Sequence, residues 1–421
     1  DMTYINTYSI DPEGCEDADD AFSVYKEDGI MYLAIHIADP TEYINVNSEL
    51  WKNIKKRLIT YYPSNRRPIH MIPDDIMERA SLMENSYGNI KKAITVLTEI
   101  DSKTFLPKGK IKLFFTNIQV KKDNAYSYKT ASKEIDKILP LKYGVKISEA
   151  MQNKRGINAL GIKLKELNNS IIKYNNNIPY LYQNSKNEKV MKHMIEEFAI
   201  FANTYIGEFL RLQLDGYGIY RTCDAREMLG EEFDKLNGND IIEHIITKGI
   251  RADYMNIVSS HDLVGSKEYT HFTSPIRRAS DCICHYLLKY LKIKSNENKK
   301  INTPFENKEL IKLSENCLSK TREIKKIQHT DIKFRLIQVM YNIIQNKGEV
   351  SIEYYITGYV NGFINIIINK IENHNIYLSY SLRRNYCNQE INSKKKILIV
   401  KNINCREKFD EGSIPELDNI F

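Results

Sequence analysis

The sequence predicts a mixed α/β (α+β) fold, with a large domain of helices over a mixed sheet followed by a small all-β barrel of OB type. Three observations predict it. "AFSVYKEDGIMYLAIHIAD" (21–39) alternates apolar and polar residues around Glu27-Asp28-Gly29, the period-two pattern of a β-hairpin. "KVMKHMIEEFAIFANTYIGEFLRL" (189–212) sets Met191, Met194, Ile195, Phe198, Ala202, Tyr205 and Phe209 on one stripe at helical spacing, which marks a core helix. The segment from Glu349 to Leu382 is rich in β-branched and aromatic residues, broken by Asn361-Gly362 and by turn residues around Glu372, which reads as a small barrel.

A chain of 421 residues is too long for one ordinary core. We read 1–330 as the large domain, 331–347 as a helical linker and 348–421 as the barrel and its tail. At 42% hydrophobic and 27% charged residues, the composition is that of a globular protein and excludes a disordered one. The best apolar run, "FINIIINKI" from Phe363, falls well short of the roughly 18 residues a membrane span needs. With no signal-peptide pattern either, the expectation is an intracellular protein, cytoplasmic or nuclear, neither secreted nor bound to a membrane. Seven cysteines with no CxxC pair exclude a disulfide framework and a zinc site. In "DCICH" the two cysteines stand at i and i+2, off a common helix face, so they read as buried thiols. A formal charge of +7 suits a nucleic-acid partner without demanding one.

In chain order, the first element is an acidic turn. "SIDPEGCEDADDAFSV" packs Asp11, Glu13, Glu16, Asp17, Asp19 and Asp20 into ten residues ahead of a strand. Carboxylates this close repel one another unless a cation offsets them. Pro12 and Gly14 force a turn, so Asp11 folds back toward Asp17 and Asp19, which point the same way along an extended segment. Four carboxylates converging on a small volume is what two Mg²⁺ ions need for phosphoryl hydrolysis. The ordinary reading of any one such residue is a solvated loop; four with this punctuation favour the metal. Further on, "TSPIRRASDCICHYLLKYL" starts with Ser274 as N-cap and Pro275 at N1, which predicts a buried helix with Arg277 in its first turn, beside a natural anion site. The polar run "KSNENKKINTP" reads as a loop, and 307–345 as a charged helix.

These residues carry a resemblance. "IDPEGCEDADDAFSV" resembles the signature of the RNase II / RNase R family of 3′ to 5′ exoribonucleases, with Gly14-Cys15 like the eukaryotic exosome-subunit branch. "IHIADPTEYI", "YYP" before "MIP", "MIEEFAIFANTYI", "SSHDLVG" and "YTHFTSPIRRASDCICHYLL" follow in the family's order. The resemblance covers about Ile10 to Leu288 and implies an RNB-type catalytic domain around an RNA channel, with an S1-like OB barrel after it. It implies that Asp11, Asp17, Asp19 and Asp20 form the Mg²⁺ site, two ions with Mn²⁺ able to substitute, and that Asp19 is most directly tied to cleavage. Arg277 would hold the scissile phosphate, with Arg278 beside it on RNA. Tyr61 and Tyr128 match positions that stack the 3′-terminal nucleotides, with Tyr62 and Tyr126 as neighbouring alternatives. One of Glu196 and Glu197 would reach a ribose 2′-hydroxyl.

The activity implied is Mg²⁺-dependent hydrolysis of single-stranded RNA from the 3′ end to nucleoside 5′-monophosphates, with little sequence specificity. The rival is a catalytically silent RNA-binding scaffold of the same fold; a third reading is an endonuclease. The retained aspartates and Arg277 argue against the scaffold. Two departures from the family pattern, Cys223 in "YRTCD" and Ala279 in "RRASD", read as packing changes. The acidic motif begins ten residues into the chain, so the expectation is that the N-terminal cold-shock barrels are lacking and that protein partners supply RNA guidance.

Overall fold

The computed structural model describes residues 1–158, 170–232, 245, 248–297, 302–360, 363–383 and 396–403. Five strands, β1 (Thr7–Asp11), β2 (Asp20–Glu27), β3 (Ile30–Ala38), β4 (Ile90–Ile100) and β5 (Pro107–Ser127), form a closed barrel in sequence order. The β2–β3 hairpin pairs from Asp20↔Ile37 to Glu27↔Ile30, and it turns at Asp28 and Gly29, both with positive φ. The sheet is mixed, as expected, because β1 runs antiparallel to β2 and parallel to β5. Its curvature goes further than an open sheet. The 21-residue β5 is long enough to pair with β4 over Pro107–Gln119 and then with β1 up to Asp11↔Ser127, which closes the ring.

One buried hydrogen-bonded chain crosses the barrel and takes one side chain from each strand. Thr7 Oγ1 meets Ser23 Oγ at 3.0 Å, Ser23 Oγ meets His36 Nε2 at 3.1 Å, His36 Nδ1 meets Thr95 Oγ1 at 2.8 Å and Thr95 Oγ1 meets Thr116 Oγ1 at 2.6 Å. Burial pushes the His36 imidazole down to about 3, so it is neutral and serves as one donor and one acceptor.

Two helices cover the barrel, α4 (Leu139–Asn158) and α5 (Lys186–Gln213), the latter opened by a Ser185–Glu188 capping box. Met191, Met194, Phe198 and Ala202 are buried as the stripe predicts, with Phe198 against Phe22 of β2 at 5.4 Å between ring centres. Gly207 lets α5 lie against the 268–270 backbone, where a Cβ would come 2.7 Å from the Glu268 carbonyl oxygen. Smaller pieces frame this core: α1 (Glu49–Arg57), α2 (Asp74–Ala80), α3 (Tyr128–Glu134), the β6 (Ile171–Asn175)–β7 (Ile178–Tyr182) and β8 (Tyr217–Thr222)–β9 (Asp253–Ile257) hairpins, and α6 (Ala225–Leu229).

The cysteine-bearing helix α7 runs Ala279–Glu297. Cys282 and Cys284 are buried free thiols, as expected. The helix starts later than the Ser274–Pro275 signal predicts, because that turn's backbone is tied elsewhere: the Ile276 N–H to Asp19, the Arg277 carbonyl to Thr60, and the Ala279 N–H to Leu58. At its other end it extends to Glu297, so the first residues of "KSNENKKINTP" are helical; 298–301 lie outside the described residues.

The long helix α8 (Asn307–Lys347) spans the charged segment and includes all of 331–347. Its apolar end, with Leu336, Ile337, Met340 and Ile344, joins a second core under the strands β10 (Val350–Val360), β11 (Phe363–Ile371), β12 (His374–Arg383) and β13 (Lys396–Val400). These form an antiparallel sheet in the order β12-β11-β10-β13, the all-β module expected at this end. The Asn361-Gly362 turn and the tail from 404 lie outside the described residues.

Candidate active site

The acidic turn folds as its punctuation dictates. β1 ends on Asp11, Gly14 takes φ +79°, and the Cys15 N–H donates to the Pro12 carbonyl at 3.1 Å. Beyond the turn, Ala18 is held at both backbone groups, by Ser81 Oγ (3.2 Å) and the Leu82 N–H (3.0 Å). Asp19 and Asp20 are thereby fixed at the entry of β2.

Each carboxylate has a different environment. Asp11 is buried and its Oδ2 has no hydrogen-bond partner; burial, then the nearby Asp20 charge, push it up to about 8. Asp17 accepts a 2.5 Å bond from the Tyr62 hydroxyl and a weak one from Cys15 Sγ at 3.5 Å. Asp19 is 5% exposed; Oδ1 accepts the Ile276 N–H at 2.8 Å and Oδ2 accepts Arg277 Nε at 3.2 Å. Burial raises its pKa well above the carboxylate range even so, with Arg277 opposing. Burial also lifts Asp20 to about 6, again with Arg277 opposing.

Thus Asp11 is raised by Asp17 and Asp20, and Asp19 by the same two, so Asp17 and Asp20 are neighbours of both. Among the described residues no three His, Cys, Asp or Glu side chains already stand as a metal cage. The donor set still fits a hard divalent cation. It is all carboxylate oxygen, one buried oxygen lacks a partner, and the group carries more negative charge than its surroundings offset.

Arg277 sits in the turn ahead of α7 rather than in its first turn. Its side chain is 45% exposed, with Nε on Asp19 and Nη2 donating to Ser274 Oγ at 2.9 Å, so the rest of its fork faces solvent. Arg278 instead turns inward, held by both oxygens of the fully buried Asp281 at 2.8 and 2.9 Å. The 58–61 segment is stitched to this turn: the Thr60 N–H donates to the Arg277 carbonyl (3.0 Å), Ile59 bridges Arg278, and the Ala279 N–H reaches Leu58.

The paired candidates separate. Tyr62 is bonded to Asp17, whereas Tyr61 lies toward α8, where burial and then Asp331 raise its hydroxyl. Tyr128, raised by burial and then by Asp20, Asp11 and Glu196, faces the carboxylates; Tyr126 is a β5 residue opposite Ile10. Glu196 is exposed and next to Tyr128, in contact with His193 at 3.2 Å. Glu197 is buried and clamped by Arg155, whose Nε lies 3.1 Å from Oε2. Sequence reading missed a cavity of about 240 Å³ against the far side of Tyr62 and Arg277, lined also by Arg221, Tyr254 and Lys325. Arg221 lies in "YRTCD", where only Cys223 drew notice; a buried arginine within an apolar strand was the available signal.

The RNB domain family model matches residues 1–294. The chain is 26% identical over 357 residues to Exoribonuclease 2 of Buchnera aphidicola subsp. Cinara cedri, covering 73% of this chain and 52% of that protein. It spans about half the length of the curated bacterial relatives it matches. In structure it is similar to Mycoplasma genitalium RNase R in complex with ribose methylated single-stranded RNA, with a TM-score of 0.74 at 18% identity, covering 95% of this chain and 69% of that one. It is also similar to yeast Ssd1, a pseudonuclease, with a TM-score of 0.65 at 16% identity, covering 87% of this chain and 48% of that one. Among the described residues no helix is long and apolar enough to cross a membrane.

Proposed function

Because the chain belongs to the RNB domain family, we propose that it is a Mg²⁺-dependent exoribonuclease that shortens single-stranded RNA from the 3′ end to nucleoside 5′-monophosphates. The observation that carries this is the cluster of Asp11, Asp17, Asp19 and Asp20, two of them (Asp11 and Asp19) buried at cost, with Arg277 on Asp19. The four aspartates would hold the cations, which when bound supply an activated water and charge to offset the phosphodiester's developing negative charge.

The chain's own residues do the rest. Arg277 has free guanidinium N–H groups beside Asp19, and they grip a non-bridging phosphate oxygen. The Tyr62 hydroxyl fixes the orientation of Asp17. Tyr128 offers an aromatic face next to the carboxylates, worth roughly 1–3 kcal/mol per stacked base and indifferent to its identity. Glu196, unlike Glu197, is free to accept a ribose 2′-hydroxyl and so favour RNA over DNA. The relative solved with single-stranded RNA supports that substrate.

The likeness to a pseudonuclease supports the silent RNA-binding scaffold as the rival; the intact aspartates and Arg277 favour turnover. The test is a 5′-labelled single-stranded RNA incubated with Mg²⁺, with EDTA, and with the Asp19→Asn variant. Progressive shortening that stops in EDTA and in the variant supports the proposal. Intact RNA with wild-type protein selects the scaffold, and internal fragments appearing first select an endonuclease.

A further inference from the structure

The cavity behind Arg277 has an electrostatic imbalance opposite in sign to that of the carboxylates. Four cations line it: Arg221, Arg277, Arg278 and Lys325. Asp281 neutralises Arg278, and Asp19 takes one edge of Arg277. The other two have no ion-pair partner among the described residues. Arg221 is 6% exposed, stacks over the Tyr254 ring at 4.5 Å, and buries its Nη1 with no partner. Asp253, the acid near it, is occupied by Arg322 at 2.9 Å. Lys325, projecting from α8, has its ammonium disfavoured by burial and by Arg221 and Arg251. A buried, unpartnered guanidinium costs free energy that an anion would recover.

The position says which anion. Tyr62 and Arg277, which bond to Asp17 and Asp19, are also part of the cavity wall. A phosphodiester carries one negative charge, whereas the 5′-phosphate monoester left by hydrolysis carries about −1.5 to −2 near pH 7. The Arg221 side attracts that extra charge.

We propose that Arg221 and Lys325 form a phosphate-binding site that receives the 5′-phosphate of the released nucleoside monophosphate after it leaves the carboxylates. The product role rests on the exoribonuclease reading; the binding of a phosphate monoester does not.

The experiment is calorimetric titration of the full chain with adenosine 5′-monophosphate, adenosine and inorganic phosphate in EDTA, repeated on Lys325→Glu and Arg221→Gln. Adenosine monophosphate should bind the wild type without metal, adenosine should not, and inorganic phosphate should compete. Each substitution should weaken nucleotide binding about tenfold or more. Lys325 is at the rim, so Lys325→Glu remains informative if Arg221→Gln fails to fold. Unchanged nucleotide affinity in Lys325→Glu, nucleotide binding only with Mg²⁺, or adenosine binding as well as its phosphate would overturn the proposal. So would weakened binding of an oligoribonucleotide lacking terminal phosphates with nucleotide binding unaffected, since the site would then serve the strand. The titration needs no turnover. Failure to cleave RNA would defeat the nuclease reading by itself and be seen separately.

Discussion

The first strand of the barrel begins in one kind of polar interior and ends in another. At Thr7 the side chain enters a buried chain through Ser23, His36, Thr95 and Thr116 in which every link has a partner and no group is charged. Four residues later, at Asp11, the site gathers carboxylates, and burial and the Asp20 charge raise Asp11, one of whose oxygens has no hydrogen-bond partner. Both are buried and both are polar. What separates them is satisfaction: the first is closed on itself and can only stabilise, while the second is left open for something the chain does not supply.

The difference is best broken at its open end. Asp19→Asn should reduce RNA cleavage roughly a thousandfold, about 4 kcal/mol of barrier, while thermal unfolding in EDTA stays level or improves; a variant retaining a tenth of the activity would sink the role given to Asp19. At the closed end, His36→Ala should cost about 3 kcal/mol in a urea titration, since it leaves a cavity and strands Ser23 and Thr95. A loss within about 0.5 kcal/mol would mean that the chain contributes little.

The two ends also differ in how acid reaches them. His36 is held near 3 when folded and titrates near 6.5 when unfolded, so the unfolded chain takes the proton first. Its contribution is full above about pH 6.5 and declines as pH falls toward 3, by about 1.4 kcal/mol per pH unit. Comparing wild type with His36→Gln between pH 7 and 5 isolates that slope; parallel curves would refute it. The smallest effect expected is Asp11→Asn in metal-free buffer, a gain on the order of 1 kcal/mol from removing a carboxyl whose ionisation is opposed by burial and by Asp20. Destabilisation there would show that the carboxylate is already compensated.

Much of the fold was readable because its signals are local. The Pro12–Gly14 turn, the hairpin about Asp28-Gly29 and the Met191–Phe198 stripe depend on residues close in sequence. Barrel closure was not, since the last part of β5 chooses its partner β1 more than 100 residues back, and its lysines and asparagines do not look like a strand. The start of α7 failed for the same reason: Ser274 and Pro275 are a fair cap, but Asp19, 257 positions away, takes the Ile276 N–H. At the site, the carboxylates and Arg277 were legible from their spacing and their resemblance. Helical phase does not separate Glu196 from Glu197, because what distinguishes them is the pairing of Glu197 with Arg155 on another helix. The Arg221 cavity needs five separate segments to exist at all, around 59–62, 221, 254, 271–278 and 321–328.

The backbone bonds between Leu58–Thr60 and the Arg277–Ala279 turn carry one more consequence. They fasten Tyr62, bonded to Asp17, and Arg277, bonded to Asp19, to a common bar, so the spacing between those two contacts is gauged by main chain, not by flexible side chains. Such a bar works as a ruler, and the length it measures is a property of the fold. Tyr62→Phe should therefore slow the reaction yet leave its step at a single nucleotide; a shift to longer products would place the ruler elsewhere.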